Sequence, residues 1–340
     1  MSRLGSVPLS VLDLAIVGSG STDAEAVNRS VALAQHVERL GYRRFWTAEH
    51  HNIASVASSV PDLLALRVAD ATSTIRVGAG GVMLPNHSPL QVAERYLTLE
   101  AFHPGRIDLG LGRAPGTDLR TAHAVRRSDA LDFGSQIDEL TGFLDGTLPS
   151  GHRYEGVRAL PQGPSRPTLW ILGSSMASAS LAAARGERYV FAAHLAPQSV
   201  GVAVRHYRER FRPSPDLKRP YAIASAAVIA AEDDAQADRL AGSSALGFVH
   251  TMTGRLHRVP SPEEVDAYRW TEQERAVGQS YLQGQIIGGP KTVETGLTDL
   301  IEATGADELM ITATVHSAAD HRRSFEIVAE VVADAKASRR

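Results

Sequence analysis

The sequence predicts an α/β fold, a closed (β/α)₈ (TIM) barrel with an insertion after its seventh strand. From Pro8 nearly to the end, short apolar runs alternate with amphipathic helical stretches, eight strand–helix units can be counted, and no low-complexity linker divides them. Such alternation calls for a parallel sheet covered by helices, and closing eight units on themselves removes exposed sheet edges. The alternative is a doubly wound open sheet with a second domain. The reading adopted is a single barrel domain over residues 1–340.

Leu9 to Val17 reads as the first strand, ending at Gly18-Ser19-Gly20, and a helix from Asp23 to Leu40 stops at Gly41. Arg43 to Ala48 is the second strand, Pro61 to Thr72 a helix, Ile75 to Leu84 the third strand, and Pro89 to Phe102 a helix. Proline opens both helices, where its missing N–H is harmless. Ile107 to Leu111 is the fourth strand, followed by a helical region from Arg120 to Leu144 and a glycine- and proline-rich excursion from His152 to Gly163. Thr168 to Leu172, Arg188 to Ala193, Tyr221 to Ala230 and Asp307 to Thr314 supply the remaining strands. Helices are expected over Ala177 to Arg185, Ser199 to Phe211, Thr292 to Ala303 and Ala318 to Ala335.

The interval 231–289 breaks the rhythm, with a helical Glu232 to Leu246 and then Tyr268, Trp270 and Tyr281 scattered among charges. After strand seven it stands on the catalytic face of a barrel, where long insertions act as lids; a surface subdomain or dimer contact is the other reading.

The 340 residues include 35 basic and 38 acidic side chains, a net charge of −3 that provides no attraction to nucleic acid or an anionic membrane. There is no cysteine, which excludes disulfides, thiolate metal sites and a cysteine nucleophile. Asp13 interrupts the early apolar run, so no secretory or spanning pattern forms there and a cytoplasmic location is expected.

Functional groups of such a barrel sit where strands end. Strand two runs out at Ala48-Glu49-His50-His51-Asn52, a carboxylate beside two imidazoles. Strand three holds Gly80-Gly81, strand four ends at Gly112-Arg113, and strand five at Gly173-Ser174-Ser175-Met176. A helix N-terminus after the last of these makes it an anion site, and Arg113 adds a guanidinium at the same mouth. Serine N-capping without a ligand is the plainer account of Ser174 and Ser175. Neither Gly78-Ala79-Gly80-Gly81 nor Gly110-Leu111-Gly112 completes a dinucleotide fingerprint. Glu49-His50-His51 lacks zinc-protease spacing, so no metal is expected.

With these residues placed, the chain resembles the bacterial luciferase-like, flavin-dependent monooxygenases, in particular their single-chain members. The resemblance is carried by Leu9-Ser10-Val11-Leu12-Asp13, Ala48-Glu49-His50-His51-Asn52, Val77 through Pro89, Gly105 through Gly116, Leu172-Gly173-Ser174-Ser175 and Ile287-Gly288-Gly289-Pro290, in family order. It implies reduced FMN delivered by a separate flavin reductase, reaction with O₂ through a flavin hydroperoxide, oxidation of a small organic substrate, and a homodimer packed through early barrel helices. It makes His50 the catalytic histidine and Arg113 and Ser174 holders of the flavin phosphate, with Gly173, Ser175 and Met176 at the same turn. It also implies a non-proline cis peptide at Gly80-Gly81 beneath the flavin ring.

Glu49 or a neighbour is expected to set the tautomer of His50, whereas His51, pointing the other way along an extended chain, is expected to be structural. Gly112 stands where the light-emitting enzyme has a reactive cysteine, and Gly173 where it has a phosphate-site glutamate, so luminescence does not follow. The same barrel serves deazaflavin-dependent hydride transfer, the alternative activity; a flavin-binding protein without catalysis is a third reading.

Overall fold

The structure, a computed structural model, describes residues 3–125, 132–255 and 257–338. Its strands are β1 (Leu9–Asp13), β2 (Arg44–Thr47), β3 (Arg76–Met83), β4 (Ile107–Gly112), β5 (Thr168–Gly173), β6 (Arg188–Phe191), β7 (Ala222–Ala230), β8 (Ile286–Gly288) and β9 (Glu308–Thr312). All except β8 form one closed, all-parallel barrel: each of β1 to β6 pairs with the next, β6 with β7, β7 with β9, and β9 with β1. The eight-stranded TIM barrel read from the sequence is therefore the fold. The extra strand β8 lies outside it, paired only with β7 through Val228 and Ile286 to Ala230 and Gly288.

The helices around the barrel are α1 (Asp23–Arg39), α2 (Pro61–Ala71), α3 (Pro89–Phe102), α4 (Leu119–Ala124), α5 (Phe133–Asp145), α6 (Met176–Arg185), α7 (Val200–Arg210), α8 (Asp234–Met252), α9 (Pro262–Ala267), α10 (Glu272–Leu282), α11 (Pro290–Thr304) and α12 (Ala318–Ala337). Local chemistry sets many of their ends. Thr22 accepts the N–H of Glu25 while the Glu25 carboxylate returns to the N–H of Thr22, a reciprocal cap that starts α1. None of the helices among the described residues is long and apolar enough to cross a membrane.

Three sequence expectations change. The first strand stops at Asp13, not Val17, because the Asp13 carboxylate accepts the N–H of Ala15, whose φ is +52°, and the chain turns out of the sheet. The helical region expected from Arg120 to Leu144 contains two helices, α4 and α5, while residues 126–131 lie outside the described residues. The described residues of the 231–289 insertion hold three helices and β8; a three-residue strand is too short for periodicity to reveal.

Side chains alternate between lumen and helices. Leu12, Trp46, Ala48, Trp170, Val190, Ile223 and Met310 form a separate buried cluster inside the barrel, with Trp46 and Trp170 edge to face at 5.4 Å. Gly80 leaves room for them: a Cβ there would lie 2.8 Å from Leu12 Cδ1 and 2.9 Å from Trp46 Cε3. Below this layer Arg44 donates to Asp108 at 2.8 Å and to Glu308 at 2.7 Å, Arg76 reaches Asp108 at 2.6 Å, and Trp46 Nε1 reaches it at 3.0 Å. Burial raises the Asp108 pKa, but Arg44 and Arg76 outweigh it and hold the carboxyl below its usual range.

Because Asp108 balances two guanidiniums at the barrel floor, Asp108→Ala is expected to cost about 3–5 kcal/mol, the usual penalty for orphaning a buried charge. The check is the urea unfolding midpoint at unchanged denaturant slope.

Candidate active site

The mouth of the barrel lies past the C-terminal strand ends. At β2, Ala48 belongs to the lumen cluster, so His50, two residues on, faces the mouth and Glu49 faces away from it. The Glu49 side chain is fully buried and accepts from His51 Nε2 at 3.0 Å, His87 Nε2 at 3.0 Å, Asn86 Nδ2 at 3.0 Å and the Met83 N–H at 2.9 Å. Burial acts to raise its pKa, yet the bonds to His87, His51 and Met83 leave it lowered.

A carboxylate only accepts, so both His51 and His87 carry a proton on Nε2. Glu49 thus sets the tautomers of His51 and His87, and among the described residues none of its hydrogen bonds goes to His50. The expectation that it orients His50 is corrected: it ties the loop after β2 to the turn after β3. His51 has the structural place expected of it, its N–H also bonded to the Gly116 carbonyl at 3.1 Å.

His50 is held by its backbone, its N–H donating to the Ser58 carbonyl at 2.9 Å. Its Nδ1 is buried without a hydrogen-bond partner among the described residues. Burial lowers its pKa, so the ring is neutral at pH 7. It forms one wall of an open cavity of about 560 Å³ lined also by Asn28, Asn52, Ile53, Val56 and Ala57. Sequence reading missed this cavity, which joins the start of α1 to the loop after β2.

It also missed His194, just past β6, whose Nδ1 lies 2.7 Å from Ser225 Oγ. Its place immediately after the expected sixth strand, Arg188 to Ala193, was the available signal.

On β3, the strand next to β2, the peptide between Gly80 and Gly81 is cis, as the resemblance implies. Leu111 pairs with Ile171, so Arg113 and Ser174 leave adjacent strands, β4 and β5, at the same mouth, Arg113 exposed and Ser174 half-buried. Ser175 is the N-cap of α6, its Oγ accepting the Ser178 N–H, so its hydroxyl is already engaged. The Ser174 hydroxyl makes no hydrogen bond among the described residues, and the first-turn N–H groups at Met176 and Ala177 have no partner within the helix. Gly173 has a packing reason: a Cβ there would lie 2.4 Å from Ser178 Cβ. Its smallness follows from Ser178, whatever binds beside it.

The insertion is tied to the rim of the mouth where the chain leaves β1. Val259 makes a parallel bridge to Gly18, exchanging bonds of 2.9 Å with Val17 and 2.8 Å with Ser19, and Arg258 pairs with Asp23 at 3.3 Å. Within it, Phe248 stacks on Tyr281 at 4.1 Å.

Residues 7–308 match the family model described as luciferase-like monooxygenase. The chain belongs to the luciferase-like monooxygenase family. Among its relatives is the luciferase-like monooxygenase of Escherichia coli K12, 39% identical over 330 residues, covering 96% of this chain and 97% of that one. The N-acetyl-S-alkylcysteine monooxygenase of Bacillus subtilis 168 is 34% identical over 336 residues, covering 97% and 99%. The crystal structure of apo-MsnO8 superposes with a TM-score of 0.88 at 36% identity, over 96% of this chain and 97% of that one.

Two more distant structures share the fold. They are the oxygenating constituent of 3,6-diketocamphane monooxygenase from a Pseudomonas putida plasmid in complex with FMN (TM-score 0.70, 17% identity, 96% and 98% coverage) and an F420-dependent secondary alcohol dehydrogenase (0.69, 13%, 96% and 99%).

Two outcomes test this geometry. The Glu49 carboxylate, with its pKa below the ordinary 4.5, stabilises the fold above that pH and loses the contribution as pH falls through the lowered value. Glu49→Gln is therefore expected to lose about 2–3 kcal/mol at pH 7, the gap to wild type shrinking in urea unfolding at pH 4 and below. Gly173→Ala is expected to destabilise by about 1–3 kcal/mol through overpacking. The same substitution made in a Ser178→Gly background should cost clearly less, a coupling read from the double-mutant cycle.

Proposed function

We propose that the chain is a flavin-dependent monooxygenase that takes reduced FMN from a separate flavin reductase and, with O₂, oxidises a small organic substrate. The observation that carries this is the meeting, at one barrel mouth of this family, of a neutral imidazole with a buried unpartnered nitrogen, His50, and a helix N-terminus built for an anion. Bound FMN would supply the chemistry with O₂. The Ser174 hydroxyl, the first-turn N–H groups of α6 and the Arg113 guanidinium fit its phosphate. Gly80 and Gly81 present backbone without side chains to a ring, and Gly173 and the Ser175 cap keep the α6 turn in place.

His50, neutral at pH 7, would take or return a proton at the substrate or flavin. Glu49 supports it indirectly, by fixing the loop that carries it. The 231–289 insertion would act as a lid that limits water at the mouth. Leu63 and Phe102, each 64% exposed on α2 and α3, support a homodimer through these early helices. The relative that acts as an N-acetyl-S-alkylcysteine monooxygenase makes thioethers of that class the first substrates to assay.

The F420-dependent structure supports a second reading, in which a deazaflavin uses the same phosphate site for hydride transfer. Turnover without O₂, or tighter binding of deazaflavin than of FMN, would replace the first reading with this one.

The test is stopped-flow mixing of reduced FMN with O₂. The protein is expected to convert the single oxidation phase of free FMN into two resolved phases, and identical traces with and without protein would sink the monooxygenase reading. His50→Ala should keep FMN affinity within about threefold while lowering coupled substrate oxidation by about 10²–10⁴. With the base form of His50 required and its pKa lowered from the ordinary 6.5 by burial, the rising limb of kcat/KM against pH, which reports the free enzyme, should lie below 6.5 and vanish in that variant.

A further inference from the structure

The mouth carries a second imidazole that the proposed function does not use. On β7, Ile223 belongs to the lumen cluster, so Ser225 points into the same lumen one step nearer the mouth. His194, beyond β6, rests its Nδ1 on Ser225 Oγ at 2.7 Å, which places the ring over the lumen. In the closed ring of eight strands β2 and β6 stand four apart, on opposite walls, so His50 and His194 face one another across the mouth.

The partners of Ser225 decide which nitrogen of His194 carries the proton. Its hydroxyl also lies 3.3 Å from the Phe191 carbonyl, which can only accept. A hydroxyl has one proton; both contacts are hydrogen bonds only if Ser225 donates to Phe191 and accepts from His194 Nδ1–H. Burial first, and His50 second, push the His194 pKa down to about 4, so the ring is neutral and Nε2 holds a lone pair. That Nε2 makes no hydrogen bond among the described residues and is not sealed from solvent, and the bond from Nδ1 down to Ser225 turns it toward the mouth.

We propose that His194 is a fixed hydrogen-bond acceptor of the reaction chamber, held by Ser225 with its Nε2 toward the mouth, where it takes an N–H or O–H of a bound ligand and positions it opposite His50. The occupant rests on the proposed function; the tautomer does not. A donor-bearing ligand, such as an amide, an alcohol or the N–H edge and hydroxylated chain of a flavin, satisfies this acceptor, whereas a wholly apolar one leaves it unpaired at a cost.

Long-range ¹H–¹⁵N correlation on ¹⁵N-histidine-labelled, ligand-free protein tests the tautomer, the His194 signals being assigned by their loss in His194→Gln. Wild type is expected to show protonated Nδ1 and unprotonated Nε2 from pH 6 to 8, and Ser225→Ala to shift the ring toward the Nε2–H form. An Nε2–H tautomer in wild type, or no response to Ser225→Ala, overturns the proposal.

Oxidised FMN is then added, followed by N-acetyl-S-methylcysteine, each distinguishing one source of the donor. An upfield move of the Nε2 signal with either supports the acceptor role, and no move with a ligand bound to saturation overturns it. FMN binding is read separately by fluorescence quenching, so failed binding counts against the proposed function while the tautomer result still decides this inference.

Discussion

The structure depends on how the barrel lumen is filled. Eight parallel strands close around a small interior, and here two tryptophans, Trp46 and Trp170, occupy its middle while Asp108, Arg44, Arg76 and Glu308 seal its floor. Both indole N–H groups end on Asp108, so the apolar layer and the ionic layer share one anchor. With the lumen packed, a ligand has access only above it, and the alternation of side chains along each strand decides which residues reach that level. Ala48 leads to His50, and Ile223 to Ser225 and thence His194.

The buried Glu49 divides labour among neighbouring histidines. By satisfying His51, His87, Asn86 and a backbone N–H, it consumes its own charge in tying two loops together and, among the described residues, leaves His50 without a hydrogen-bonded carboxylate. His50, desolvated and unbonded at Nδ1 among the described residues, stays neutral near pH 7. The same burial acts on His194, so the two side chains facing across the mouth are both uncharged bases near neutral pH.

At the turn between β5 and α6 the division is similar. Ser175 and Ser178 cap the helix, Ser178 forces a glycine at position 173, and Ser174 is the hydroxyl left over at the turn. One short serine-rich stretch thereby holds both the hydroxyls that cap the helix and one that does not, and only the hydrogen bonds separate them.

The sequence by itself determined the barrel, because strand and helix periodicities are local and eight repeats without a linker admit little else. It also located the mouth, since strand ends are legible, and so His50, Arg113, Ser174 and the Gly80-Gly81 pair. Tertiary structure alone decided what depends on residues far apart in the chain. Glu49 is buried against His87, so it bonds the loops and not His50 directly; β8 exists only because β7 offers it a partner; His194 stands over the lumen only because Ser225, 31 residues on, holds its ring there. Periodicity records which way a side chain points, but a hydrogen bond needs the partner's position, and that is known only once the barrel has closed.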